Sequence, residues 1–388
     1  MNGSYFKRLL SLKRAVKKRS LEKAAFIYDK LKRPADNLKI IHIAGSNGKG
    51  SVSYKIYRSL VFSGYKVGLF TSPHISSFSE RIQINETQIS ENDIEKCLKI
   101  IFEVIDAYKV DLIFFEIVLL LALLYFNDEK IDFAVLETGL GGRLDPTNII
   151  TPILTIITTI SLDHISILGN NLDSIAKEKA GIIKKEVPLI VSDKSALKPI
   201  LEKAFSLNCE TIQVSLKEKF FDGQNTSIAK SALNYLNKKY PISSKAILEG
   251  VSLRPSCRFE IHNIDSCFVV LDVAHNIEGV SSLIQALNIY FSNKKFRFVL
   301  GVLKDKDVYS CLDLISKHAS FIHLVLANTE NACSTEFLGS ILQSFGFSAF
   351  YKEKSIYDAV KRAIKNKDEV IVVCGSFYIM DEAKKALI

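Results

Sequence analysis

The stretch Gly45-Ser46-Asn47-Gly48-Lys49-Gly50-Ser51 follows the apolar run 40–44 and leads into a helix-like segment, 52–62. A strand that turns through glycines and a lysine into a helix is an arrangement that holds nucleotide phosphates. Backbone N–H groups converge on the phosphate oxygens, and the helix N-terminus adds its partial positive charge. Lys49 can reach the β- and γ-phosphates, and the Ser51 hydroxyl can ligate Mg²⁺. The spacing is a variant, because Ile43 stands where the usual loop opens with Gly and Gly50 separates Lys49 from Ser51. The competing reading is a flexible Gly/Ser turn with a surface lysine.

Other residues with chemical potential sit at the ends of strand-like runs. Glu137 closes the run 133–136 and leads into Gly139-Leu140-Gly141-Gly142-Arg143-Leu144-Asp145, where a carboxylate can hold a metal while glycines admit a ligand. The alternative is a solvated glutamate before a turn. Asp163-His164 ends the next run in the same manner, so a Mg²⁺ shared with Glu137 is one reading and a structural histidine the other. Lys179, in Glu178-Lys179-Ala180-Gly181, is either a surface lysine or, in its small-residue context, a partly desolvated amine. Asp272 follows a buried strand and can accept from a ribose hydroxyl or an amine, while His275 and Asn276 can cap the next helix. Arg258 is either a linker charge or a cation brought onto a transferring phosphate. No Ser/His/Asp or Cys/His set suggests a covalent nucleophile.

Positioning these residues requires alternating strands and helices. Strands are expected at 39–44, 67–71, 133–136, 153–160 and 189–191, with helices at 51–64, 91–109, 115–127 and 172–184 between them. This βαβ rhythm implies a mostly parallel sheet covered on both faces, with phosphate sites beyond the carboxyl ends of its strands. A second series has strands at 267–271, 296–302, 321–327 and 370–374 and helices at 278–291 and 355–366. The expected architecture is an α/β protein of two domains. Residues 1–250 form a P-loop-type parallel-sheet ATPase domain, residues 251–388 a smaller Rossmann-like domain, and the active site falls in the cleft between them.

Composition narrows the setting. With 388 residues, 48% of them hydrophobic, the chain can fill two cores. The run 113–126 is strongly apolar but carries Glu116 and is too short to span a bilayer, so a buried helix is expected and no membrane association. No secretory signal is visible, and seven cysteines without a C-x-x-C pair point to reduced thiols in a cytoplasm. The net charge of +9 suits polyanionic small substrates such as ATP and carboxylates. Nucleic-acid binding has only the clusters at 13–19 and 30–33 in its favour, without a DNA-reading module, and is not expected.

Taken together, these blocks resemble the folylpolyglutamate synthase/dihydrofolate synthase family, within the Mur-ligase-like ATP-dependent amide ligases. The resemblance also rests on Thr71-Ser72-Pro73-His74, Ser79-Glu80-Arg81-Ile82, Phe115-Glu116, Thr147-Asn148, Asp305-Lys306-Asp307 and Gly375-Ser376-Phe377, and it runs through nearly the whole chain. It implies that ATP phosphorylates a folate-type carboxylate and that the amine of L-glutamate then attacks the acyl phosphate. On this sequence it assigns Gly48, Lys49, Gly50 and Ser51 to the ATP phosphates and Asn225, Arg258 and Asp272 to the nucleotide side. It assigns Ser51, Ser72, Glu137 and His164 to Mg²⁺, Phe115 and Asp145 to the pterin region, and His275 to the neighbourhood of the reacting groups. Lys179 matches a lysine that the family carries as a carbamate. The acceptor implied is dihydropteroate or a reduced folate, and the state implied is a monomer. A Mur-type peptidoglycan ligase and a basic nucleic-acid-binding P-loop protein are the alternatives.

The chain departs from the family pattern at several points. Cys257 replaces the Gly usual before Arg258, Pro146 replaces Ala after Asp145, and Ile113 replaces a Thr two residues before Phe115. Asn331 stands where Arg is common, and Lys17-Lys18-Arg19-Ser20 is basic where dihydropteroate-using members often carry an Asp-Leu-Gly loop. None of these changes touches the ATP or metal positions.

Overall fold

The computed structural model describes residues 3–12, 20–195 and 197–388, so the basic run 13–19, with Lys17-Lys18-Arg19, lies outside the described residues. The chain forms two compact units, Met1–Glu218 with Asp222–Leu253, and Lys219–Phe221 with Arg254–Ile388.

The first unit has strands β1 (Lys39–Ala44), β2 (Val67–Phe70), β3 (Ile82–Ile84), β4 (Thr87–Gln88), β5 (Phe133–Glu137), β6 (Leu154–Ile157), β7 (Leu189–Ser192) and β8 (Thr211–Val214). Its helices are α1 (Ser4–Leu10), α2 (Glu22–Lys30), α3 (Lys49–Phe62), α4 (Glu91–Tyr108), α5 (Phe114–Asp128), α6 (Ile165–Leu168), α7 (Leu172–Ala180), α8 (Lys198–Ser206), α9 (Phe221–Asn237) and α10 (Ser244–Ser252). The strands are ordered β4-β3-β2-β5-β1-β6-β7-β8, parallel from β2 to β8 with β3 and β4 antiparallel at one edge. From β1 the chain moves outward to β2, and after β5 it crosses to β6 on the other side. Strand order therefore reverses beside β1, where open α/β sheets place their ligand loops.

Side chains alternate along β1 because successive residues of a strand face opposite sides. Ile41 and Ile43 pack with Val52, Ile56 and Leu60 of α3 and with Ile228 of α9. Ile40 joins the opposite core, which includes Leu119 and Leu123 of α5. Helix α5 is buried on nearly every side from Glu116 to Phe126. No helix of the described residues is long and apolar enough to cross a membrane. The expected strand 153–160 pairs only as far as Ile157, because Thr158 to Ser161 turn away to hydrogen-bond the glycine-rich loop. The expected helix 172–184 stops at Ala180, where the Gly181 carbonyl accepts from Asn148. The expected boundary at 250/251 falls inside α10, so the first unit ends at Leu253.

The second unit carries β9 (Glu260–Ile264), β10 (Cys267–Leu271), β11 (Lys295–Leu300), β12 (Ala319–Leu324), β13 (Phe350–Lys352) and β14 (Glu369–Cys374). They are ordered β13-β12-β11-β14-β10-β9, all parallel except β9, which forms an antiparallel hairpin with β10. Helices α11 (Ile277–Tyr290), α12 (Val308–Ser316), α13 (Thr335–Ser344), α14 (Ile356–Ala363) and α15 (Met380–Lys385) complete it. Both units are α/β with parallel-rich sheets, as the alternation of elements implies.

Candidate active site

The glycine-rich loop leaves the carboxyl end of β1 and enters α3 at Gly48, whose φ of +84° suits a residue without a Cβ. A Cβ there would lie 2.3 Å from Asn225 Oδ1, so α9 presents Asn225 directly to the start of α3. Hydroxyls after β6 fix the loop: Thr158 donates to the Asn47 carbonyl at 2.6 Å, and Asn47 N–H donates to Thr159 Oγ1 at 3.2 Å. Ser46 Oγ donates to the Ser161 carbonyl and accepts from Ser161 N–H. Lys49 folds back over the loop and donates to the carbonyls of Gly45 and Ser46 at 3.0 and 3.2 Å.

Lys179, at the end of α7, reaches the same place and donates to the Gly45 carbonyl at 2.8 Å. Its side chain is 4% exposed. Burial, with the like charge of Lys49 second, pushes the amine down to about 7. The surface-lysine reading of Lys179 is thereby excluded. The amine is buried at the carboxyl edge of the sheet.

On the other side of β1, Glu137 ends β5 at 4% exposure and accepts from the Ser72 N–H at 3.2 Å. The loop that follows is built around Asp145. That carboxylate is 1% exposed, accepts from Leu140 N–H at 2.7 Å, and accepts from both the N–H and the hydroxyl of Thr147. Arg143 ties the loop to α7, donating from its backbone to the Glu178 carbonyl and from its guanidinium to the Glu178 carboxylate. Phe115 lies over the loop, with its ring 2.7 Å from where a Cβ on Gly139 would stand. The structure thus gathers Phe115, Asp145, Ser72 and Glu137 around one loop. It also shows that Asp145 shapes that loop with both its oxygens.

Sequence reasoning missed a buried partner of this loop, His42 on β1. Since Thr147 Oγ1 gives its proton to Asp145, it must accept from His42 Nε2–H, 2.8 Å away. The ring is fully buried, and burial, with Lys184 second, pushes it down to about 3, so it stays neutral. A histidine in a strand of otherwise apolar inward residues was the signal available.

Asp163 and His164 follow the segment that holds the glycine loop. His164 has φ +48° and its N–H is accepted by Asp163 Oδ1 at 2.9 Å. Among the described residues no three His, Cys, Asp or Glu side chains gather as a metal-binding group. The expected set supplies two such groups, Glu137 and His164, and two hydroxyls, Ser51 and Ser72. Oxygen-rich donors of this kind fit a hard divalent cation such as magnesium or manganese.

In the second unit Asp272 accepts from the N–H groups of Phe259 and Ala274, both at 2.8 Å. It is buried, which raises its carboxyl above the usual range, while Arg258 and these N–H groups oppose the rise. These bonds lock the segment carrying Arg258, whose guanidinium lies 5.0 Å from the Phe377 ring centroid. His275 faces the same ring at 6.1 Å and bonds the Val273 carbonyl through Nδ1, while Asn276 caps α11. Asn276 is thus the capping residue of α11. Cys257, where the family has Gly, keeps a left-handed φ of +57°, which accounts for the usual glycine.

Two family models match the chain. Residues 43–271 match the Mur ligase middle domain and residues 257–377 the Mur ligase glutamate ligase domain. The chain is 32% identical to the dihydrofolate synthase/folylpolyglutamate synthase of Bacillus subtilis, with 92% of each chain covered. E. coli FolC, solved in complex with DHPP and ADP, superposes with a TM-score of 0.90 at 26% identity, covering 98% of this chain and 96% of that one. A bifunctional folylpolyglutamate synthase/dihydrofolate synthase with Mn, AMPPNP and L-glutamate bound also gives 0.90 at 26% identity, over 99% and 98% of the chains. These relatives are named for dihydrofolate and folylpolyglutamate synthesis, which does not favour the peptidoglycan-ligase alternative.

Proposed function

The chain belongs to the dihydrofolate synthase/folylpolyglutamate synthase family of Mur-type ligases, and from that premise we propose that it joins L-glutamate to the carboxylate of a pteroate or folate at the expense of ATP. The observation that carries the reading is the convergence of Lys49 and the desolvated Lys179 on the Gly45 carbonyl, at the strand-order reversal. A fixed glycine loop, a cation and a buried amine in one place suit phosphoryl transfer to a carboxylate.

In the proposed reaction the acceptor carboxylate attacks the γ-phosphorus, ADP leaves, and an acyl phosphate forms. The glutamate amine then attacks the acyl carbon, phosphate leaves, and the amine gives up a proton. Gly48, Lys49, Gly50 and Ser51 hold the phosphates, with Lys49 neutralising charge on the transferred group, and Asn225, Arg258 and Asp272 serve the nucleotide. Phe115 packs the acceptor's ring system, and Asp145 holds the loop beneath it. His275 lies near the reacting groups. Ser51, Ser72, Glu137 and His164 would hold Mg²⁺, which when bound neutralises charge on the phosphate oxygens.

Lys179 supports a second part of the reading. Carbon dioxide adds only to a neutral amine, giving a carbamate and releasing a proton, and burial keeps this amine substantially neutral near pH 7. The carbamate would bring a second carboxylate-like group to the metal set, beside Glu137. Seven cysteines without a disulfide and the need for ATP support a cytoplasmic setting, and the family likeness a monomer. The test of mechanism uses acceptor labelled with heavy oxygen in its carboxylate. An acyl phosphate route puts one labelled oxygen into the released phosphate, whereas unlabelled phosphate would exclude it.

A further inference from the structure

Two residues that this chemistry does not use, Lys55 and Asp222, form a buried ion pair behind the phosphate loop. Lys55 lies six residues beyond Lys49 on α3, roughly 9 Å along the helix axis. It is fully buried, and its ammonium is 3.0 Å from Asp222 Oδ1. It also donates to the carbonyls of Val251 and Leu253 at 2.6 and 3.1 Å. These carbonyls close α10, where backbone acceptors lack intrahelical partners and the helix dipole favours a cation. Helix α10 can come this near because Gly250 lies against α3, where a Cβ would stand 2.4 Å from Ser59 N. A buried ammonium is tolerated only when paired and hydrogen-bonded in this way.

Asp222 opens α9, and Asn225 stands three residues later on the same face. Asn225 is 6% exposed and sits on Gly48. One face of α9 is therefore fastened to α3 at two points: an ion pair at Lys55, and the amide that meets the glycine opening the phosphate-loop helix.

We infer that Lys55 is a positioning residue for the nucleotide. Its ammonium, seated between Asp222 and the last carbonyls of α10, sets the register of α9 so that Asn225 meets the nucleotide at Gly48. The inference rests on the phosphate-loop reading of residues 45–51.

The test is ADP affinity of the full chain by titration calorimetry, in Lys55→Arg, Asp222→Asn and Asn225→Ala, alone and combined. Arginine keeps the charge, but its planar fork cannot occupy the compact ammonium seat. Lys55→Arg and Asp222→Asn are each expected to weaken ADP binding about tenfold. In the Asn225→Ala background Lys55→Arg adds less than about twofold, because the group it acts through is gone. A merely structural role would lower the unfolding midpoint and leave ADP affinity unchanged. Unchanged affinity in whichever folded variant is obtained, or full additivity with Asn225→Ala, overturns the inference. Failure of ADP to bind the unmodified chain overturns the phosphate-loop reading and this inference together, whereas binding that the variants do not alter overturns this inference alone.

Discussion

Replacing Lys179 by methionine isolates the consequence of burying an amine at Gly45. In the native chain that amine titrates at about 7, against 10.5 for an ordinary lysine. At pH 7 about half the molecules carry it neutral, where a solvated lysine is neutral in roughly one molecule in three thousand. The folded-state value lies below the unfolded one, so between about 7 and 10.5 the unfolded chain binds more protons and stability rises with pH. Below that window both states are protonated and the full desolvation penalty stands. The drop from 10.5 to about 7 corresponds to a penalty on the order of 5 kcal/mol. Guanidinium unfolding of the unmodified chain and Lys179→Met, at pH 7 and pH 9 in buffer free of carbon dioxide, reads part of it. The stability of the unmodified chain relative to Lys179→Met should rise by about 2 kcal/mol across that interval. Isotopically labelled bicarbonate should then give a carbamate signal in the unmodified chain and none in the variant. Parallel pH profiles for the two proteins would refute the desolvation argument, and a missing carbamate signal would refute the modification.

Other residues give independent tests. Lys49→Ala should leave a folded chain whose ATP-dependent phosphate release falls at least about a hundredfold, since the cation over the transferred phosphoryl group is gone. His42→Gln should lower stability by about 1–3 kcal/mol and raise the KM for the pteroate acceptor while sparing that for ATP, because it loosens Thr147 and Asp145. His42 also predicts acid sensitivity. With its folded value near 3 and an unfolded value of 6.5, stability should fall as pH drops through that window, and the loss in His42→Gln should be smaller. Glu137→Gln should raise the magnesium concentration needed for half-maximal turnover by about tenfold or more, and chelation should stop turnover in the unmodified chain.

The sequence made the strand–loop–helix units easiest to read, because β1 and β5 are apolar runs ended by glycines or a carboxylate, and α3, α4 and α5 lie between clear strands. It was silent where short or polar elements depend on tertiary partners. β3, β4, β8 and β13 are only two to four residues long, and all but β3 are partly or fully exposed. β9 has three polar residues among its five, two of them adjacent, beside two left-handed positions at Cys257 and Phe259. Helix α9 carries no strong start signal and α10 only the N-cap Ser243, yet they deliver Asn225, Asp222 and the Lys55 seat. Within the site, residues at strand ends were legible one by one. Spacing could not reveal that Lys179 is buried, since that follows from its contact with Gly45, more than a hundred residues earlier in the chain. Nor could it show that Asp145 and Asp272 spend their oxygens on their own loops.

The proposed reaction couples ATP cleavage to amide formation between L-glutamate and a pteroate or folate. The most direct measurement is phosphate release from Mg-ATP with L-glutamate, using dihydropteroate and tetrahydrofolate as separate acceptors, with mass spectrometry of each product. The expected result is release that needs both glutamate and an acceptor, matched by one new glutamyl amide per phosphate. Absence of release with either acceptor, or release without an amide product, would contradict it.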